Sequence, residues 1–136
     1  MSEIIKIIHV DDDEQTVKNF KNLCASVNNT IYVNGFNCAK TALEWLRVNR
    51  VDLVFSDIEM QPNDGFWLAQ QIASLGIPFV FVTSHTDYMQ KAFEACALQY
   101  LVKPFVTSDI EAVVERYRKF KTMFVNDQLP TKMEEL

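Results

Sequence analysis

The stretch "IIKIIHVDDDEQ" (residues 4–15) carries four isoleucines and a valine directly into Asp11, Asp12, Asp13 and Glu14. β-Branched residues at this density suit a strand packed in a core. Four acids in succession do not: they repel one another unless positive charge compensates. The stretch therefore predicts a buried strand that ends at a site in need of a cation.

The same punctuation recurs along the chain. Further strand-like runs are "TIYVNGF" (30–36), "DLVFS" (52–56), "PFVFVT" (78–83) and "QYLVK" (99–103). Between them the apolar residues fall at helical spacing. The predicted stripes are Val17, Phe20, Cys24 and Val27; Ala39, Ala42, Leu43 and Leu46; Leu68, Ala69, Ile72 and Leu75; Met89, Ala92, Phe93 and Cys96; and Ile110, Val113, Val114, Tyr117 and Phe124. The last helix is predicted to open on a capping box, Ser108 with Glu111. The first, third and fourth strands are nearly unbroken apolar runs, the pattern of parallel strands covered on both faces. Alternating strands and helices with short connections give an open, doubly wound α/β sheet.

At 136 residues the length fits one domain, expected over residues 1–125, with 126–136 a polar, Pro-interrupted tail or the start of a linker. The chain is 49% hydrophobic and 23% charged, enough for an ordinary core. A net charge of −5 argues against a nucleic-acid surface, which needs clustered Lys and Arg. No apolar run is long enough to span a membrane, and the first residues lack a signal-peptide pattern, so a cytoplasmic protein that engages no membrane is expected. Three cysteines without zinc-like spacing read as reduced thiols.

In an open parallel sheet, sites form at the carboxyl ends of the strands. Those ends carry Asp11 and Asp12, Ser56 and Asp57, Thr83 and Ser84, and Lys103 followed by Pro104. An oxygen-rich, thiol-free, anionic cluster suits a hard cation, above all Mg²⁺. A metal, an ammonium, a hydroxyl and a free carboxylate together can also support phosphoryl transfer, with the carboxylate as nucleophile.

These motifs resemble the receiver domain of two-component response regulators, the CheY-like family. The resemblance spans about residues 4–122 and rests on "VDDDE", "DLVFSDIEM" with "DG" seven residues beyond the Asp, "VFVTS" and "YLVKPF". The stretch "AFEACALQYLVKPF" is most similar to receivers of LytTR-type regulators. It implies the flavodoxin-like strand order 2-1-3-4-5 and a signalling phosphoacceptor that catalyses only its own phosphorylation and dephosphorylation. Carried over by position, it makes Asp57 the phosphoacceptor. The Mg²⁺ ligands would be Asp12, Asp11 largely through water, Asp57 and the main-chain carbonyl of Glu59. Thr83 and Lys103 would bind phosphoryl oxygens, Thr83 and Tyr100 would form the switch, and the Lys103–Pro104 peptide would be cis. The implied donor is a histidine kinase or phosphotransfer protein, and the last strands and helices would meet an output domain or a second copy.

The chain departs from the family pattern in places. The loop after Asp57, "IEMQPNDG", has its proline one position late, and Ser84, Glu59 and His85 are individual rather than typical. These three are expected on the rim, with Glu59 and His85 paired across the path of an attacking water. His9, on a central strand, is expected to be a satisfied core histidine, and Asp13 and Glu14 to cap the following helix. Two other functions compete. A haloacid-dehalogenase-like phosphatase also uses an Asp nucleophile with Mg²⁺, but "DDDEQT" has Gln15 where its signature needs Thr or Val. A degenerate receiver would only bind partners, against which stands the complete Asp, Thr and Lys set.

Overall fold

The computed structural model describes residues 3–126, with side chains as far as residue 123. Strands β1 (Ile5–Val10), β2 (Thr30–Phe36), β3 (Leu53–Asp57), β4 (Phe79–Thr83) and β5 (Gln99–Val102) alternate with helices α1 (Glu14–Cys24), α2 (Ala39–Leu46), α3 (Gly65–Gln71), α4 (Met89–Glu94) and α5 (Thr107–Asn126). All strands pair in parallel, in the order β2-β1-β3-β4-β5.

The unbroken apolar runs are explained by this order. Alternate residues of a strand point to opposite faces, and β1, β3 and β4 are covered on both. Ile8, Val10, Val54, Phe79 and Phe81 pack against α2, α3 and Ala92 of α4. Ile7, Leu53, Phe55, Val80 and Val82 pack against Phe20 and Cys24 of α1 and Ile110, Val113 and Tyr117 of α5. Each such large side chain, fully buried, is worth about 1.5–3 kcal/mol. Edge strand β2 alternates instead, leaving Ile31 and Val33 exposed.

Helix details depart from the periodicity. The fourth stripe is mostly solvent-facing: only Ala92 is buried, while Met89, Phe93 and Cys96 are exposed. The reason is length. α4 has six residues and stops at Glu94, so Cys96 lies beyond it at φ 61°, and the i, i+4 pair Met89 and Phe93 occupies the outward side. Leu75 is exposed as well, because α3 ends at Gln71 and a 3₁₀ turn (Ala73–Leu75) follows, closed by Gly76 at φ 69°. Helix α5 begins one residue before Ser108, so Ser108 is no cap. Asp109 does that work by accepting the Val106 N–H at 2.8 Å, the reach-back half of a capping box. Asp13 caps α1 through the N–H groups of Gln15 and Thr16. The Phe124 side chain and residues 127–136 lie outside the described residues.

His9 is buried, but it is not satisfied. Its ring stacks on Phe20 with centroids 4.1 Å apart, and neither ring nitrogen has a hydrogen-bond partner among the described residues. Burial, reinforced by the charge of Lys103, pushes its pKa from 6.5 down to about 3. The folded state thus keeps His9 neutral where the unfolded chain takes up a proton. Its stabilising contribution is complete above pH 6.5 and is lost as pH falls toward 3. Between about pH 8 and about pH 5 this loss amounts to roughly 2 kcal/mol. His9→Phe should remove it, so its stability advantage over the parent should be greater at the lower pH by about that amount in urea melts. An advantage independent of pH would contradict the neutral buried imidazole.

Candidate functional site

Register explains why the site assembles. Val10 pairs with Ser56, Asp57 with Val82, and Thr83 with Val102, so the strands end nearly level. The residues at or just past those ends are Asp11, Asp12, Asp57, Thr83 and Lys103. Asp11 is fully buried; its Oδ2 accepts from Lys103 Nζ at 2.8 Å and its Oδ1 from the Asp13 N–H at 2.9 Å. Asp57 is 7% exposed, with Oδ1 accepting the Ile58 N–H at 2.8 Å and Oδ2 lying 3.5 Å from Lys103 Nζ. Thr83 is fully buried and its hydroxyl accepts the His85 N–H at 3.3 Å. Asp12 alone of the acids is exposed.

Charge at this edge is unbalanced. Carboxylate oxygens of Asp11, Asp12 and Asp57 lie within 4.8 Å of one another, and among the described residues a single ammonium, Lys103, serves them. Burial and then the charge of Asp11 push the Asp57 pKa up to about 6, with Lys103 and the Ile58 N–H pulling the other way. Burial opposes the charge on Lys103, but the Asp11 hydrogen bond and both carboxylates outweigh it and raise its pKa. Three carboxylates against one ammonium leave a deficit that a divalent cation would close, and the all-oxygen donor set fits a hard ion such as Mg²⁺.

The loops beside Asp57 explain the "DG" pair. Asp64 caps α3 by accepting the Trp67 N–H at 2.8 Å. Gly65 starts the helix with its N–H on the Ile58 carbonyl, and a Cβ there would strike the Asp57 carbonyl oxygen. A side chain at Gly65 would therefore displace Asp57 itself. The Gln61–Pro62 and Lys103–Pro104 peptides are both cis.

On the rim, Glu59 and His85 meet at 2.7 Å, each about half exposed. The Glu59 side chain is not part of the acid cluster, so only its main chain is left to serve a metal. Tyr88, which the sequence reading passed over, donates its hydroxyl to Glu59 at 2.8 Å and sits edge-on to His85. No periodicity marks it, since it lies just before a short helix. Tyr100 donates to the His85 carbonyl at 2.6 Å. His85 thus touches Thr83 through its N–H and Tyr100 through its carbonyl. Ser84 is exposed and joins no hydrogen bond among the described residues.

The family model for the response regulator receiver domain matches residues 7–115, which include every residue of this strand-end edge. The chain belongs to the response regulator receiver family. The sensory transduction protein LytT of Bacillus cereus is 32% identical over 133 residues, covering 96% of this chain and 52% of that protein. The transcriptional regulatory protein LytR of Staphylococcus aureus is 29% identical, covering 86% of the chain and 48% of its own length. This receiver chain therefore spans about half the length of the curated relatives it matches. Among solved structures, the response regulatory domain of mrkE from Klebsiella pneumoniae superimposes with a TM-score of 0.77 at 28% identity, covering 85% of the chain and 96% of that domain. The receiver domain of NarL from Mycobacterium tuberculosis shares the fold at a TM-score of 0.78 and 18% identity. The phosphatase and binding-only alternatives are not favoured by these matches.

Proposed function

We propose that Asp57 is the phosphoacceptor of this receiver. One Asp57 carboxylate oxygen attacks the phosphorus of a phosphohistidine on a kinase or phosphotransfer protein. The new O–P bond makes an acyl phosphate, the P–N bond breaks, and the departing imidazole takes up a proton. Lys103 neutralises a phosphoryl oxygen and the Thr83 hydroxyl donates to another. Asp11, Asp12, Asp57 and the Glu59 carbonyl would hold Mg²⁺, which when bound offsets negative charge on the phosphoryl group. The single observation that carries this reading is the Asp57 carboxylate, nearly buried yet 3.5 Å from Lys103 and grouped with Asp11 and Asp12.

The Thr83 hydroxyl accepts the His85 N–H and keeps its own O–H to donate to a phosphoryl oxygen, so a movement of Thr83 toward the phosphoryl group is felt at His85. Tyr100 holds the other side of that residue, so the two form the switch, biasing how the last strands and helices meet an output domain or a second copy. The whole regulator would act in the cytoplasm, controlling transcription as its staphylococcal relative is named to do, while this chain itself engages neither nucleic acid nor membrane. Among the described residues, no helix is long and apolar enough to cross a membrane.

The acid pair tests the metal half of the reading. Asp12 is exposed and repels its neighbours, so Asp12→Ala should leave the metal-free fold at least as stable as the parent. Its affinity for Mg²⁺ should fall by about tenfold or more in a titration, and phosphorylation with it. Parental Mg²⁺ affinity in this variant would place the metal elsewhere.

The paired rim residues bear on phosphoryl lifetime. Glu59, held by both His85 and Tyr88, and the imidazole would together obstruct in-line attack by water on the acyl phosphate. Glu59→Ala and His85→Ala should each speed dephosphorylation, and the double variant should add little, because the two act as a unit. Unchanged or slower loss in both single variants would reject this role.

A further inference from the structure

Strand β2 lies at the edge of the sheet: it pairs with β1, and among the described residues no strand lies on its other side. An open edge is a row of unpaired main-chain donors and acceptors, and soluble chains ordinarily blunt it with charge or proline. This one has neither. β2 reads "TIYVNGF", and from Asn22 to Ala39 the sequence contains no charged residue and no proline, in a chain that is 23% charged. Ile31 and Val33 are 46% and 38% exposed, on the sheet face opposite Tyr32, which packs beside Phe20.

Register decides which main-chain groups are free. The Ile5 N–H reaches the Asn29 carbonyl at 2.9 Å, and Thr30 stands opposite Ile5. In a parallel ladder the main-chain groups of Asn29 and Ile31 therefore turn toward β1, and those of Thr30 and Tyr32 turn outward. The register shifts between Ile7 and Ile8, which leaves Val33 as an extra residue. Past it, the Gly35 N–H is taken by Asn34 Oδ1 at 2.8 Å. The open length thus runs from Thr30 to Tyr32, centred on Ile31.

We propose that β2 pairs antiparallel with β2 of a second copy of this chain, about a two-fold axis at Ile31. Thr30 of each copy then exchanges both main-chain hydrogen bonds with Tyr32 of the other, and Ile31 meets Ile31 in the closer, non-hydrogen-bonded position. Val33 lies diagonal to that contact. A two-fold pairing brings identical surfaces together, so charge on the edge would oppose it; this uncharged edge is free of that repulsion. So short a contact makes a weak, reversible dimer. The inference rests on no part of the phosphoryl chemistry and uses the sheet edge opposite β5.

Sedimentation equilibrium of the full 136-residue chain, from about 10 μM to about 1 mM with a chelator, reads the association. The average mass of the parent should rise toward that of a dimer across this range. Ile31→Lys and Ile31→Glu each place like charges on the axis, and each should raise the dissociation constant by about tenfold or more. An equimolar mixture of the two should associate again, because opposite charges then face each other, and this recovery separates lost pairing from a lost fold. In a background of Cys38→Ser with Cys96→Ser, Ile31→Cys should oxidise to a covalent dimer linked at position 31, since a spacing of about 4.5 Å between Cα atoms suits a disulfide. A parent that stays monomeric throughout would overturn the proposal and leave the edge to a foreign strand. Association that persists in both single variants would place the dimer on another surface and overturn it as well. So would a mixture no more associated than its components, or the absence of a link at position 31.

Discussion

Lys103→Met should destabilise the metal-free protein by about 3–5 kcal/mol near pH 8, the cost of removing one partner from a buried ion pair. Lys103 is the only cation paired with Asp11 or Asp57 among the described residues, at 2.8 Å and 3.5 Å. Methionine keeps most of the side-chain volume, so the loss is electrostatic rather than a cavity. Asp11, fully buried, would be left with the Asp13 N–H alone. The sign of the pH dependence follows. Asp57 already titrates near 6, and losing the ammonium that opposes this rise moves it higher still. The variant should therefore recover part of its deficit as pH falls and that carboxylate takes up a proton. Mg²⁺ should also narrow the gap, since it supplies positive charge to the same oxygens. Urea melts of both proteins with a chelator, then with Mg²⁺, measure all three effects. A deficit below about 1 kcal/mol, or one independent of pH, would mean that water rather than Lys103 neutralises the cluster.

The sheet was legible because its central strands carry their environment in their composition. "IIKIIHV", "DLVFS" and "PFVFVT" are apolar on both faces, which only a doubly covered parallel strand requires. The strand-end residues were legible for a related reason: a buried strand that ends in acids states an electrostatic problem, and Lys103 at the end of another strand states part of its solution. Short helices were not. A six-residue α4 offers too few positions for periodicity to distinguish Ala92, which is buried, from Phe93, which is 80% exposed. The Ser108 box failed because Asp109 competes for the same helix start. His9 was read as satisfied because sequence cannot show whether a partner lies across a core; in the fold its neighbour is the Phe20 ring. Tyr88 was missed because its contact with Glu59 spans 29 residues and two loops.

Asp57→Asn should be the most consequential single change, abolishing phosphorylation while strengthening the metal-free fold. Asparagine keeps the shape of the side chain but removes the nucleophilic oxygen and one of three crowded charges. In the parent, the folded pKa of about 6 lies above the ordinary 3.8. Protonation of Asp57 therefore favours folding, a contribution complete below the unfolded value and lost as pH rises through 6. At about pH 8 the variant should exceed the parent by up to roughly 3 kcal/mol, with the gap closing toward about pH 4. Mg²⁺ should reverse the order, because it binds the parent's carboxylate set better than the variant's.

That stability effect would report how burial and the nearby Asp11 charge disfavour the Asp57 carboxylate; only covalent chemistry reports that it is the acceptor. The decisive measurement is the intact mass of parent and Asp57→Asn after incubation with Mg²⁺ and a small acyl-phosphate donor, followed by peptide mapping. The parent should gain one phosphoryl group, mapped to Asp57, and the variant none. Equal labelling of the variant, or a parental label mapped to any other residue, would contradict this assignment.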